Sequence, residues 1–308
     1  MPPPATKKAE RVADAALDIR ERPPLHQDQA FLTRFLVQAT LPHRQPRGAP
    51  PVWSRRNGAY TLTLRPGIRR DPLTGEHRQL EYPSGVIPRL LMFWVTTQAL
   101  RTRSRRLELG NNLSAFMRDL GLNPRSGRGP RSDATRLREQ MNRLFRSTIS
   151  FEYEDPGCTR WQDMPVAPAG ELWWDSKKPG DSVLWGSWIE LGEKFYQAIV
   201  EAPVPLDVRA LRVISNSPMA LDMYAWATYK TYQVNRSGRS QVVSWSQLER
   251  QFGAEFSSPK DFRKRAKRAL RRVRLVYPGL NIRELRGRLR VLPGQTAVPP
   301  KSTSLVAH

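Results

Sequence analysis

Between Pro259 and Arg274 nine cations, Lys260, Arg263, Lys264, Arg265, Lys267, Arg268, Arg271, Arg272 and Arg274, stand against one acid, Asp261. Set on a helix at about 100° per residue, Phe262, Ala266, Ala269, Leu270 and Val273 fall in one apolar stripe, and Lys260, Lys264, Lys267, Arg268 and Arg271 take the opposite face. A face this lopsided repels itself in water, whereas an exposed helix ordinarily mixes both signs in i, i+4 pairs. In the major groove of duplex DNA the same face neutralises phosphates and brings its N-terminal side chains to base edges. Lys260, Arg263, Lys264 and Lys267 are therefore expected at bases or flanking phosphates, and Arg268, Arg271 and Arg272 on the backbone. Residues 132–147 repeat the layout more mildly. Ala134, Leu137, Met141, Leu144 and Phe145 form the apolar stripe, and Ser132, Thr135, Arg136, Glu139, Asn142, Arg143 and Arg146 face away. Its mixed charge predicts backbone contacts or a plain solvated face. Residues 286–290, with Arg286 and Arg288 around Gly287, and the run 101–106 add candidate phosphate contacts.

Residue patterns for catalysis are missing by comparison. A rolling-circle nickase needs paired histidines to hold a metal beside a nucleophilic tyrosine, and His26, His43, His77 and His308 are isolated. The nearest approach to a phosphate-binding loop, residues 186–194, has the wrong glycine spacing, with Glu193 before Lys194 and Phe195 after it. Glu152, Glu154 and Asp155 suit a solvated strand face better than a Mg²⁺ site. Gln247, Leu248 and Phe252 superficially resemble a sliding-clamp peptide, but helix packing would bury the two apolar residues. The expectation is a binding protein without catalytic residues, cofactor or metal.

Composition agrees. The chain has 308 residues, 51 of them Lys or Arg and 28 Asp or Glu, a net charge of +23. Only ten of the cations are lysine, and codon bias exchanges Lys for Arg without altering that balance. An excess of this size points to a polyanionic partner. The longest apolar run, residues 90–95, is too short to span a bilayer. No signal-like stretch follows Met1, and one cysteine, Cys158, excludes an internal disulfide. A cytoplasmic protein, associated with nucleoid or plasmid and not with membrane, is expected.

The elements that would carry these faces occur twice. Pro88 opens a helix with Leu90, Leu91, Trp94, Val95 and Leu100 at apolar positions; a short strand at 107–109, a helix at 112–121, a turn, the helix at 132–147 and a strand at 148–154 follow. Pro218 opens the second copy, with a strand at 241–244, a helix at 244–253, the basic helix, and strands at 280–285 and 288–292. Offsets between the copies stay at about 129 to 132 residues. Helix, strand, helix, turn, helix and two-strand hairpin is the winged-helix variant of helix-turn-helix. Between the copies, Trp161, Trp173, Trp174, Trp185 and Trp188 suit packing around a long hairpin more than stacking on bases.

At this point a family resemblance becomes specific. Residues 85–97 (Gly-Val-Ile-Pro-Arg-Leu-Leu-Met-Phe-Trp-Val-Thr-Thr), 109–121, 135–145, 217–226 and 251–253 with the basic helix resemble the plasmid-encoded RepA replication initiators of Gram-negative bacteria. The resemblance covers about residues 82–292. It implies binding to direct repeats of a plasmid origin as double-stranded DNA, melting of adjacent AT-rich duplex, and recruitment of a host initiator and helicase. It further implies monomer and homodimer states. A winged-helix transcriptional repressor, and an origin nickase or primase, are the alternatives from other classes.

The expected fold is thus α+β, mainly helical, with two tandem winged-helix domains and flexible basic arms. Residues 1–25 are expected to form a flexible arm; 26–81 a helix over 26–41, a linker over 43–51 and a strand over 59–64; 82–202 the first domain with the Trp-rich hairpin. Pro203-Val-Pro205 marks the boundary to the second domain, 203–293, the main DNA reader, and 294–308 a flexible tail.

Overall fold

The computed structural model describes residues 7–71, 73–110, 112–126, 129, 131–172, 186–253 and 256–299. Helices supply most of its core, and the strands form small antiparallel sheets, so the chain is α+β.

The departures from expectation lie mostly before residue 82. Within the segment read as an unordered arm, α1 (Lys7–Glu21) is helical. A lone helix of this length is marginal in water, and docking holds this one: Asp18 pairs with Arg209 at 3.0 Å and with Arg22, which also reaches Asp28 at 2.8 Å. Residues 1–6 lie outside the described residues. The expected helix at 26–41 is instead a 3-10 turn (His26–Asp28), strand β1 (Gln29–Thr33) and the short α2 (Arg34–Gln38). A short apolar run fits either period. Tertiary partners decide for the strand, because Ala30, Leu32 and Thr33 are buried and the Phe31 amide donates to Thr97 Oγ1 at 2.9 Å. The proline-rich stretch 43–51 is irregular but packed, with Pro46 buried. Strands β2 (Trp53–Asn57) and β3 (Tyr60–Arg65) follow, with Leu62 and Leu64 inward as their alternation predicts. Beyond Pro66 the polar loop is an exposed hairpin of β4 (Ile68–Arg70) and β5 (His77–Gln79).

The first copy follows its expected order. Pro88 sits in the first turn of α3 (Ile87–Thr102), where its missing N–H costs nothing. After β6 (Arg106–Glu108), the Asn112 side chain caps α4 (Leu113–Asp119) by accepting from the Ala115 amide at 2.7 Å, and Gly121 closes it at φ +73°, a conformation that favours glycine. Next come α5 (Asp133–Phe145), β7 (Thr148–Asp155), β8 (Cys158–Pro165), β9 (Ala169–Glu171), β10 (Trp188–Glu190) and α6 (Glu193–Glu201). β9 and β10 pair as the base of the Trp-rich hairpin. Trp173, Trp174 and Trp185 lie outside the described residues.

Where a domain boundary was expected, Pro203-Val-Pro205 opens strand β11 (Pro203–Asp207), antiparallel to β1. A two-stranded sheet leaves each strand an open side, so a proline without its N–H is tolerated. The second copy follows: α7 (Val208–Ile214), α8 (Pro218–Ser237), β12 (Gln241–Ser244), α9 (Trp245–Phe252), α10 (Pro259–Val276), β13 (Ile282–Leu285) and β14 (Arg288–Val291). Residues 294–299, expected within a flexible tail, are partly packed: Val298 is buried, and Asn235 exchanges two hydrogen bonds with the Gly294 backbone. Residues 300–308 lie outside the described residues.

Sheet pairing distinguishes the copies. In the second, β12, β14 and β13 form one sheet in that order. In the first, the β7–β8 hairpin joins β3 and β2, while β6 turns away to pair with β10. One continuous core runs through both copies, with α3 and α8 buried on most of their surface. Such helices show little amphipathic stripe because their surroundings are apolar nearly all round. An ion pair between them, Arg89 with Asp222, lies in that core.

Candidate nucleic-acid interface

The local sequence of α10 explains both its start and its orientation. The Ser258 hydroxyl accepts from the Asp261 amide at 3.1 Å, Pro259 fits the first turn, and Ser257 donates to Asp261 Oδ2 at 2.8 Å, so the helix's one acid belongs to its cap. Phe262, Ala266, Ala269, Leu270 and Val273 are buried, as the stripe requires. Burial of that stripe turns Lys260, Arg263, Lys264, Arg268 and Arg271 outward, all exposed.

The remaining cations of α10 are engaged within the protein. Lys267 pairs with Glu284 of β13 and lies 5.8 Å from the Trp245 ring, so it is a half-buried bridge between helix and hairpin. Arg272 donates to the Asn216 side chain, and burial, reinforced by the neighbouring Arg268 charge, lowers its pKa. Arg274 donates to the Ile282 carbonyl at 2.6 Å and fastens the hairpin to the helix. Arg265 stacks 5.7 Å from the Phe256 ring.

Beside α10, the β13–β14 hairpin turns at Gly287, φ +75°, with Arg286 and Arg288 exposed. Register adds one residue that the sequence reading did not single out, Arg283, beside Arg290 of the expected stretch 286–290. Arg283 and Arg290 stand directly opposite each other, and both are exposed. Like charges facing each other across strands destabilise a sheet, which is tolerable where an anion lies over them. The alternation Arg288, Leu289, Arg290, Val291 held the signal, since the buried Leu289 and Val291 put both arginines on the other face.

The α5 surface is less open. Ser132 is buried and caps the helix by accepting from the Thr135 amide at 3.2 Å; capping removes it from the interface it was expected to join. Thr135 belongs to the same cap, donating to the Gly129 carbonyl at 3.2 Å. Asn142 donates to the Arg138 carbonyl, and Arg143, half-covered, pairs with Glu81 at 2.6 Å and with Glu139 at 3.5 Å. Arg136, beside Asp133, and Arg146 are exposed. The run 101–106 is also largely structural. Arg101 donates to the Gln29 carbonyl, Arg105 to the Leu191 carbonyl, and Arg106 lies 4.0 Å from the Trp188 ring.

A family model described as plasmid encoded RepA protein matches residues 82–247, more than half of the chain. The chain belongs to the RepA family. Membership places it in plasmid DNA replication as a DNA-binding protein. The match runs from just before α3 into α9 and ends before α10, so the most basic helix of this family member stands on its own physical argument. No curated protein matches the chain. Among the described residues no three His, Cys, Asp or Glu side chains gather as metal ligands, and no helix is long and apolar enough to cross a membrane.

Proposed function

We propose that this RepA family member initiates plasmid replication by binding direct repeats in the origin as duplex DNA, then helps melt adjacent AT-rich duplex and recruits a host initiator and helicase. The two copies act as tandem winged-helix units. In the second, α9 and α10 form the helix-turn-helix and β13–β14 the wing; in the first, α4 and α5 occupy the same places. The exposed set Lys260, Arg263, Lys264, Arg268 and Arg271 carries the proposal, because it faces outward from a helix whose other side is fixed in the core. Lys260, Arg263 and Lys264, in the first two turns, reach base edges or flanking phosphates, and Arg268 and Arg271 hold backbone with Arg286, Arg288 and Arg290 from the wing. Lys267 joins them only by leaving Glu284. The first unit adds backbone contacts from Arg136 and Arg146. Binding involves no cofactor or covalent step.

A gel-shift titration on the origin repeats with scrambled competitor, followed by permanganate footprinting, tests this reading. Preference for the repeats together with permanganate-reactive thymines nearby supports initiation. Repeat binding that leaves the duplex unreactive identifies a repressor, and nicking of supercoiled origin DNA with Mg²⁺ identifies an enzyme.

A further inference from the structure

The β4–β5 hairpin has no role in the reading above, and its construction calls for a partner. All six residues of its strands are exposed. Asp71 organises the described residues of its tip: Asp71 Oδ1 accepts from the Leu73 amide at 2.9 Å and the Thr74 amide at 3.3 Å, the Asp71 carbonyl accepts from Gly75, and the Asp71 amide donates to the Glu76 carbonyl at 2.8 Å. Gly75 takes φ +73°, which favours glycine. This turn holds Leu73 95% exposed, the most exposed large apolar side chain among the described residues. Arg69, Arg70, His77 and Arg78 line the ribbon. Its two acids are occupied locally, Asp71 by the turn amides and Glu76 by Arg78 at 3.3 Å.

The ribbon's root lies against α5. Gly67 packs so closely on the Arg146 backbone that a Cβ would not fit, and the Leu80 amide donates to the Gly67 carbonyl at 2.8 Å. Glu81 then pairs with Arg143. The hairpin therefore extends from the end of the helix where the exposed Arg146 stands.

We propose that the β4–β5 hairpin is a second DNA-binding element, an arm that enters the minor groove beside the duplex contacted by α5. Arg69 and Arg70 line the groove, and Leu73 wedges against a base step. An apolar side chain carried on a basic ribbon partly unstacks the step it enters and bends the duplex; flexible pyrimidine–purine steps yield most readily. The proposal rests on duplex binding by the two helices and adds a bend located by the first unit.

The test uses the full chain and a duplex repeat with 2-aminopurine at successive steps beside the α5 contact, with bending read by fluorescence energy transfer between the duplex ends. Wild type is expected to raise the 2-aminopurine signal at one step and to bend the duplex. L73A should bind within about threefold of wild type with the signal and most of the bend lost, while R69A/R70A should lower the salt slope by roughly one to two phosphate contacts. Equal signal, bend and slope in wild type and both variants overturns the arm. So does unchanged DNA behaviour with loss of binding to a purified replication protein, which would make the hairpin a protein contact. If wild type fails to prefer the repeat while remaining folded, duplex recognition itself falls and the arm with it. Both variants alter exposed residues, and circular dichroism and thermal melting check their fold.

Discussion

Arg89 of α3 and Asp222 of α8 form a two-pronged ion pair inside the core, with Nε to Oδ1 and Nη2 to Oδ2 both at 2.8 Å. Arg89 also donates to the Leu41, Pro42 and Gly85 carbonyls, and His43 Nε2 lies 2.6 Å from the same carboxylate. The two helices open the two stretches expected to be copies, so this joint ties those stretches together through a buried charge pair and a segment expected to be a linker. Arg89 and Asp222 are only 4% and 8% exposed, hence removing Asp222's charge leaves Arg89 buried against neutral carbonyls, and removing Arg89 leaves the Asp222 carboxylate buried without the guanidinium, beside His43. Arg89→Ala or Asp222→Asn should destabilise the chain by about 3 to 5 kcal/mol. Urea unfolding checks this, and a loss below about 1 kcal/mol would show that the pair does not hold the copies together.

The same joint sets an acid limit. Burial pushes the Asp222 carboxyl pKa up, but the Arg89 charge and the His43 contact outweigh it and leave the pKa below the ordinary 3.8. A carboxylate whose folded pKa is depressed contributes stability above its unfolded value, and that contribution is lost as pH falls through the folded one. Stability of the wild type should therefore decline below about pH 4, and the decline should be shallower in Asp222→Asn, whose side chain does not titrate. Melting temperatures measured from pH 2 to 6 distinguish the two profiles.

Start and packing of α10 give a prediction independent of DNA. Ser258→Ala removes the cap bond and should cost about 1 kcal/mol, whereas Phe262→Ala, in the buried stripe, should cost about 3 to 5 kcal/mol. Chemical denaturation measures both. Near-equal losses would mean that the stripe is not the helix's anchor.

On the proposed α10 surface, the Glu284 pair would compete with DNA for Lys267. Glu284→Gln should raise affinity for scrambled duplex several-fold and steepen the salt dependence by roughly one phosphate contact, as measured by fluorescence anisotropy at 50 to 200 mM salt. An unchanged slope would mean that Lys267 keeps away from DNA even when freed.

Much of this arrangement is legible in the residues, and the failures share a cause. Ser258-Pro259 and the spacing of Phe262, Ala266 and Val273 locate α10 and its exposed face, because cap chemistry and helical period are local. Asn112, Gly121, Pro88 and Pro218 do the same for α3, α4 and α8. The strand at 29–33 escapes because its apolar run fits a helix equally well, and only β11, some 170 residues later, gives it a partner. The α1 helix escapes for a similar reason, since Arg209 anchors it from the second copy. At the candidate interface, the number of cations was readable but not their availability. Lys267, Arg272 and Arg274 are held by Glu284, Asn216 and Ile282, residues that folding alone brings to them.

The most direct test of the α10 surface is a repeat-binding titration of wild type and Lys264→Glu/Arg268→Glu between 50 and 200 mM salt. If the proposed interface neutralises six to ten phosphates, wild-type affinity falls by roughly 10³ to 10⁵ over that range. The folded double variant should bind at least about tenfold more weakly at 50 mM, with a shallower slope, as expected when two phosphate contacts are lost. Equal affinity and equal slope in the two proteins would contradict the assignment of α10 as the reading helix.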